Sequence, residues 1–367
     1  MTCIPSSLGR KSPAFPLTGK VYPDARKRAC GPVFLRLECL MAHPFRILSI
    51  DGGGIRGLIP ALVLAELERQ TGRAIADCFD LIAGTSTGGI LALGLTRPGE
   101  GGKPKYQAQD LADLYLKEGS RIFDESLWRR VTNPMGLRAA KYPPEGIEGV
   151  LAQYFGETRL KEALAEVLVT AYDLEKRDAF FYRRRRARED DRYDVPMRVA
   201  ARATSAAPTY FEPALVQWPQ ERDVLVDGGV FANNPAMCAY AEAWPTLAKV
   251  GRTADDILLV SLGTGLYTKP FPYEQAKGWG VAGWAKPVLD VIFDGVADTV
   301  DYQLRQLLPA AEDGRSRYFR FQTDLDAGLC ELDDTSPQHL EGLRRAAEGI
   351  LQRQSADVEA LVKQLGG

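Results

Sequence analysis

Three short stretches of the chain carry residue types and spacings that can do chemistry. Gly84-Thr85-Ser86-Thr87-Gly88 follows the apolar run Phe79–Ala83 and opens the apolar segment Gly89–Leu95. That is the strand, turn and helix context in which a serine hydroxyl is held exposed at a sharp bend as a nucleophile. Gly84 and Gly88 supply the small residues that such a bend needs two positions before and after the serine. Asp51-Gly52-Gly53-Gly54-Ile55-Arg56-Gly57 comes directly after the run Arg46–Ile50 and before a helical pattern from Leu58. Glycines at such a junction leave successive N–H groups pointing into open space, which suits an anion: a nucleotide phosphate, or the oxyanion of a tetrahedral acyl intermediate. Three consecutive glycines exceed what a tight turn requires. Asp227-Gly228-Gly229 follows Asp223–Val226 and leads through Val230–Asn234 into Pro235 and an apolar helix. A hairpin turn, the usual setting of Asp-Gly, would lead into a second strand instead.

A serine hydroxyl is a weak nucleophile and needs a base beside it. The chain has only two histidines, His43 and His339. His43 lies just before the first apolar run, at the edge opposite the strand ends where Ser86 belongs, and reads as a surface residue. His339 follows Thr335-Ser336-Pro337 in the first turn of a late helix and reads as solvent-facing. The base is therefore expected to be a carboxylate, and Asp227 is the candidate.

These residues need a scaffold of strands that end where they sit. Candidate strands are Arg46–Ile50, Phe79–Ala83, Val167–Tyr172, Ala179–Tyr182, Asp223–Val226, Ile257–Leu262 and Tyr318–Gln322. Between the first two, Leu58–Gln70 repeats its apolar residues at near-helical spacing, with Pro60 in the first turn. Short β-branched runs alternating with helical patterns indicate an α/β domain with a mostly parallel central sheet. A helical insertion is expected over Pro98–Gln153, and helices at about Glu274–Leu308 and Pro337–Leu365. Residues 1–40 differ: rich in Pro and Gly, with seven Lys/Arg against Asp24 and Glu38 and no sustained periodicity. They read as an N-terminal extension, disordered or preceding a true start at Met41, and 41–367 as the domain.

Composition narrows the classes. Apolar residues at 45% and charged residues at 26% suit an ordinary globular protein, and a net charge of −2 argues against a dedicated nucleic-acid binder. The six cysteines are scattered, with no ligand spacing for a metal and no Cys-x-x-Cys pair, so neither a metal nor another cofactor is expected and a reducing cytoplasm is the simplest setting. The run Arg183-Arg184-Arg185-Arg186-Ala187-Arg188 reads as a solvated hairpin tip, with attraction to anionic lipid as the alternative. Trp279 and Trp284 read as packing residues, with peripheral contact at a membrane surface as the alternative.

Taken together and in this order, Asp51–Gly57, Gly84–Gly88 and Asp227–Gly229 resemble the patterns of the patatin-like phospholipase family. Further likeness appears in Arg202–Phe211 and in Ser261–Gly265, and the resemblance spans roughly Phe45 to Gln322. It implies a three-layer α/β/α fold and a Ser86–Asp227 dyad. It further implies an oxyanion hole from Gly52, Gly53 and Gly54, with Arg56, Gly57, Gly84, Gly88, Gly228 and Gly229 as motif support. The implied activity is hydrolysis of lipid acyl esters through an acyl-enzyme, without a metal or cofactor. The rivals are an acyltransferase or general carboxylesterase with the same dyad and, from another class, a nucleotide-binding module built on the Gly-rich loop.

A chain beginning at Met41 is expected to keep the melting temperature and ester turnover of the full chain, because residues 1–40 carry no motif and no periodic apolar face. Side-by-side melting and rate measurements check this; a large loss in the shorter chain would show that the extension packs on the domain.

Overall fold

In chain order the strands are β1 (Phe45–Ile50), β2 (Leu81–Thr85), β3 (Glu166–Asp173), β4 (Asp178–Arg183), β5 (Ala214–Gln217), β6 (Arg222–Asp227), β7 (Ile257–Leu262) and β8 (Tyr318–Phe321). The longer helices are α1 (Leu58–Thr71), α2 (Thr87–Thr96), α3 (Ala108–Ile122), α4 (Pro144–Phe155), α5 (Met197–Thr204), α6 (Ala236–Lys249), α7 (Pro287–Leu307), α8 (Pro337–Arg353) and α9 (Ser355–Gly366). These come from a computed structural model describing residues 43–124, 140–218, 221–266, 270–284 and 287–366. The expected extension over residues 1–40 lies outside them.

Every residue of β1, β2 and β7 is buried, so these strands are covered on both faces and read as continuous apolar runs. The sheet runs β5-β6-β3-β2-β1-β7-β8, with β4 on β3 outside that path. Pairings β1–β2, β1–β7, β2–β3 and β7–β8 are parallel; β3–β4, β3–β6 and β5–β6 are antiparallel. Helix α6 covers β1, β2 and β7, and α7 packs on β8 and α6. On the other side α2 lies on β1, β2 and β3, with α3 and α5 against it, and α1 joins α3, α8 and α9. This is the three-layer α/β/α arrangement.

The register of β3 places the strand ends. Its residues 168–173 pair with β4 along one edge, so β2, paired with 166–170, and β6, paired with 171–173, must share the other. β2 runs up that edge and β6 runs down it. They meet where Thr85 pairs with Thr170 and Asp227 pairs with Ala171.

Several expectations need correction. β2 starts two residues late, at Leu81, because Asp80 turns the chain in, exchanging bonds of 2.8 Å with the Arg46 backbone through its N–H and its carboxylate. The short edge strand β5 was not expected; its four residues alternate buried and exposed, too brief a pattern to stand out. The helix expected over Glu274–Leu308 is three, Tyr273–Ala276, Val281–Trp284 and α7, interrupted around Gly278, Gly280 and Pro287 where breakers fall. That over Pro337–Leu365 is two, parted at Gln354, whose amide donates to the Arg320 carbonyl at 2.9 Å. The basic run is not a hairpin tip. It closes β4 and forms the short helix Arg184–Glu189, where Arg184 meets Glu166 at 2.7 Å, Arg183 and Arg185 share Glu242, and Arg186 lies over the Tyr193 ring.

Asp51, at the end of β1, and Arg320, on β8, form a buried ion pair at 2.6 Å across β7, and Arg320 also donates to Ser261 Oγ at 2.8 Å. Burial pushes the Asp51 carboxyl up and the Arg320 guanidinium pulls it back. Arg320→Met leaves that carboxylate buried without its cation and is expected to cost about 3–5 kcal/mol of stability. Denaturant unfolding of the two proteins measures it; an unchanged midpoint would show that Asp51 is satisfied without Arg320.

Candidate functional site

The bend after β2 puts Ser86 at φ 55°, ψ −123°, in the positive-φ region that costs a non-glycine residue energy and that functional turns retain. The neighbours are built to hold it there. The Ser86 N–H donates to Thr204 Oγ1 at 2.8 Å, and the Ser86 carbonyl accepts from Gly89 and Ile90 at 2.9 and 3.1 Å as α2 begins. A Cβ on Gly84 would run into the Gly88 carbonyl, and one on Gly88 into the Ile50 carbonyl. Both positions must therefore be glycine for the chain to turn this tightly.

Asp227 ends β6 beside this bend. It is 3% exposed; its Oδ1 accepts the Gly229 N–H at 2.8 Å, and the Ser86 hydroxyl lies near enough to its carboxylate to draw the pKa down. Burial pushes its pKa up to about 7, and Ser86 and Gly229 only partly offset that. Gly228 packs so closely on Thr170 that a side chain there would clash, and Gly229 opens the short helix Gly229–Ala232. Thr85 Oγ1, one residue before Ser86, bonds Thr170 Oγ1 at 2.7 Å and the Ala232 carbonyl at 2.6 Å.

The Gly-rich loop leaves β1 and turns through a 3-10 segment at Gly54–Gly57. Three distant segments clamp it. The Gly52 N–H donates to the Asn233 carbonyl at 3.0 Å, the Gly52 carbonyl accepts Thr264 Oγ1 at 2.7 Å, and the Ile55 N–H donates to the Leu332 carbonyl at 2.8 Å. Gly54 sits at φ 58° with Leu332 so close that no Cβ fits between them. Gly52 was expected among the oxyanion donors, but its N–H is committed to Asn233. The N–H groups of Gly53 and Gly54 have no hydrogen-bond partner among the described residues. Arg56 and Gly57 complete the turn, with Gly57 buried against Thr87 and Tyr115.

Ser86, Asp227, Gly52, Gly53, Gly54 and Arg56 all line one cavity of about 970 Å³, at the upper end of the ~300–1,000 Å³ usual for small-molecule sites. Ile90, Ile122, Phe123, Ile147 and Phe211 form an apolar wall, and Val291 and Phe293 contribute from α7. Among the described residues, no group of three or more His, Cys, Asp or Glu side chains could hold a metal ion.

The histidines stand apart from this arrangement. His43 is half-buried before β1, its Nδ1 2.8 Å from the Pro44 carbonyl. His339, expected to face solvent, is buried, with Nδ1 3.2 Å from the Gly328 carbonyl and 3.4 Å from Asp334. The loop Ala327–Leu332 folds back over the first turn of α8 and covers it. The sequence reading assigned no role to Thr204, Asn233, Thr264 or Leu332. Thr204 and Thr264 lie in stretches noted only for their likeness, and nothing local marks Leu332.

A family model described as patatin-like phospholipase matches residues 48–240. Patatin-like protein 4 of Arabidopsis thaliana is 32% identical, covering 83% of this chain and 82% of that protein. Patatin-like protein 2 of Oryza sativa subsp. japonica is 30% identical over 85% of each. Probable inactive patatin-3-Kuras 1 of Solanum tuberosum is 31% identical, covering 84% of this chain and 86% of that protein. Order of motifs, geometry and similarity over most of the length agree: the chain belongs to the patatin-like phospholipase family.

Proposed function

We propose that this protein hydrolyses acyl esters of lipids through a Ser86–Asp227 dyad and an acyl-enzyme. Membership alone does not carry this, since one of the relatives bears the name of a probable inactive patatin. The supporting observation is that the Ser86 hydroxyl and a buried Asp227 carboxylate line one apolar-walled cavity, near enough for the hydroxyl to draw the carboxyl pKa down.

In this reading Ser86 Oγ attacks the ester carbonyl carbon as its proton passes to Asp227. The negative charge that develops on the carbonyl oxygen is taken by the N–H groups of Gly53 and Gly54, which are already fixed in direction and cost no reorganisation. Collapse expels the alcohol, which leaves with the proton held by Asp227. Water then attacks the acyl-enzyme, Asp227 takes its proton, and Ser86 Oγ departs with that proton restored. The cavity favours an uncharged or zwitterionic lipid over a nucleotide. Arg56 is the one cation among the described lining residues, set against Asp51, Asp227, Asp294 and Glu331, of which Asp51 is neutralised by Arg320; the remaining balance disfavours a polyphosphate.

Ser86→Ala and Asp227→Asn are each expected to fold and to lose roughly 10³-fold or more in kcat, with the double variant scarcely worse, because the two groups act as one unit. His339→Gln is expected to keep most turnover. Rates on a p-nitrophenyl ester and on a phospholipid, with circular dichroism for folding, check all four; retained activity in Asp227→Asn with loss in His339→Gln would replace the dyad by a histidine triad.

A pH profile tests the same base. Asp227 accepts a proton only when ionised, so kcat/KM is expected to rise with pH and reach half its plateau at about 7. Stability moves the opposite way. The folded carboxyl stays protonated up to about 7 while its ordinary value is 3.8, so this group's stabilising contribution is full below 3.8 and lost as pH rises to about 7. Asp227→Asn escapes that loss and is expected to gain stability relative to wild type between pH 4 and pH 8, read by denaturant unfolding. A pH-independent difference would show that Asp227 titrates normally.

A further inference from the structure

Away from the reacting groups, the described surface departs from the ordinary mixture at one place. Between Phe271 and Ile292 more large apolar side chains stand exposed than on all the rest of the described surface together. Val281 is 93% exposed and Tyr273 76%, with Trp284 and Ile292 beside them in sequence and also exposed. Such a concentration of exposed apolar side chains within one short stretch marks an interaction site rather than random exposure. Its aromatic residues are organised and not splayed: Phe271 meets Trp279 edge-on at 5.2 Å, and Trp279 meets Trp284 edge-on at 5.0 Å.

Two observations say what covers this face. It is continuous with the cavity, since Phe271 and Val291 are both exposed and line the cavity wall, along with Pro270 and Pro287. Its described charged side chains between Phe271 and Ile292, Glu274 and Lys277, pair with each other and leave no net charge. A partner held by charge would need an imbalance here. Among the described residues no helix is long and apolar enough to cross a membrane, so the face would rest on a bilayer and not span it.

We propose that the face from Phe271 to Ile292 docks on a zwitterionic lipid bilayer, with Val281 entering the acyl layer, Trp284 at the headgroup boundary and the cavity mouth lying against the lipid. The choice of a lipid surface rests on the hydrolase reading. A two-chain lipid leaves the bilayer at a large cost if its chains must cross water, because each exposed methylene costs about 0.8 kcal/mol. An apolar rim continuous with the cavity gives those chains a dry path from bilayer to Ser86. Trp284 suits the headgroup boundary, where an amphipathic ring finds both an apolar and a polar neighbour.

The test separates docking from turnover. Sedimentation with phosphatidylcholine vesicles is measured for full-length Ser86→Ala and for the same chain carrying Val281→Asp and Trp284→Asp. The two added substitutions are expected to lower the partition coefficient by about tenfold or more, with little change between low and high salt. In the chain with Ser86 intact, they are expected to leave hydrolysis of soluble p-nitrophenyl butyrate unchanged and to lower hydrolysis of phosphatidylcholine vesicles. Equal vesicle binding with and without the substitutions would overturn the proposal, as would no binding by either. Self-association that the substitutions abolish, with no vesicle binding, would assign the face to a second copy and overturn it too. Patch-dependent binding without cleavage of either ester by the intact chain would uphold the docking face while removing the hydrolase reading.

Discussion

One edge of β3 is shared by two strands that run towards each other. β2 occupies it as far as Thr170 and β6 from Ala171 onward, so their C-terminal ends meet, and the chain must turn away at both. Ser86 and Asp227 stand at those turns. Side chains alternate faces along a strand, so a one-residue slip of β6 would send the Asp227 carboxylate to the opposite face of the sheet. The Thr85–Thr170 bond at 2.7 Å and the close approach of Gly228 to Thr170 pin the register from both strands. The meeting of hydroxyl and carboxylate is thus a consequence of backbone pairing, settled before any side chain chooses a rotamer.

That arrangement has a cost. Asp227 is buried with the Gly229 N–H bonded to its carboxylate and the Ser86 hydroxyl near it, and with no cation to hold its pKa down. A cation at Asp227 would restore an ordinary acidity and weaken the carboxylate as a proton acceptor near neutral pH. The other buried acid of the site, Asp51, has the opposite provision: Arg320 neutralises it, and it serves to tie β1 to β8. Two carboxylates within one cavity wall thus differ by the presence or absence of one guanidinium, and in the proposed chemistry that difference sets them to different work.

Much of the scaffold was legible in the sequence because buried parallel strands write themselves as apolar runs; Ile257–Leu262 has its expected bounds, and the other six differ by one or two residues at one or both ends. The motifs were legible because tight turns demand glycine. What escaped depends on contacts between distant parts. Thr204 meets Ser86 across 118 residues and Thr264 meets Gly52 across 212, and neither threonine differs locally from any other. His339 misled for the same reason: its place at a helix start suggests solvent, and only the fold-back of Ala327–Leu332 buries it. The arginine run misled because its acidic partners, Glu166 and Glu242, lie elsewhere in the chain.

The clamp on the Gly-rich loop also has a consequence in time. Ser86 and Asp227 are synthesised well before Leu332, whose carbonyl fixes Ile55 and stands against Gly54. Until that late segment leaves the ribosome and folds onto the domain, the loop lacks the one of its three clamps that bears on Gly54, although hydroxyl and carboxylate are already present. In the proposed chemistry, a chain part-way through translation holds its reacting groups before the dipoles that stabilise the charged intermediate are fully clamped. The order of synthesis would then hold back ester cleavage until the segment carrying Leu332 is made, with no separate inhibitor.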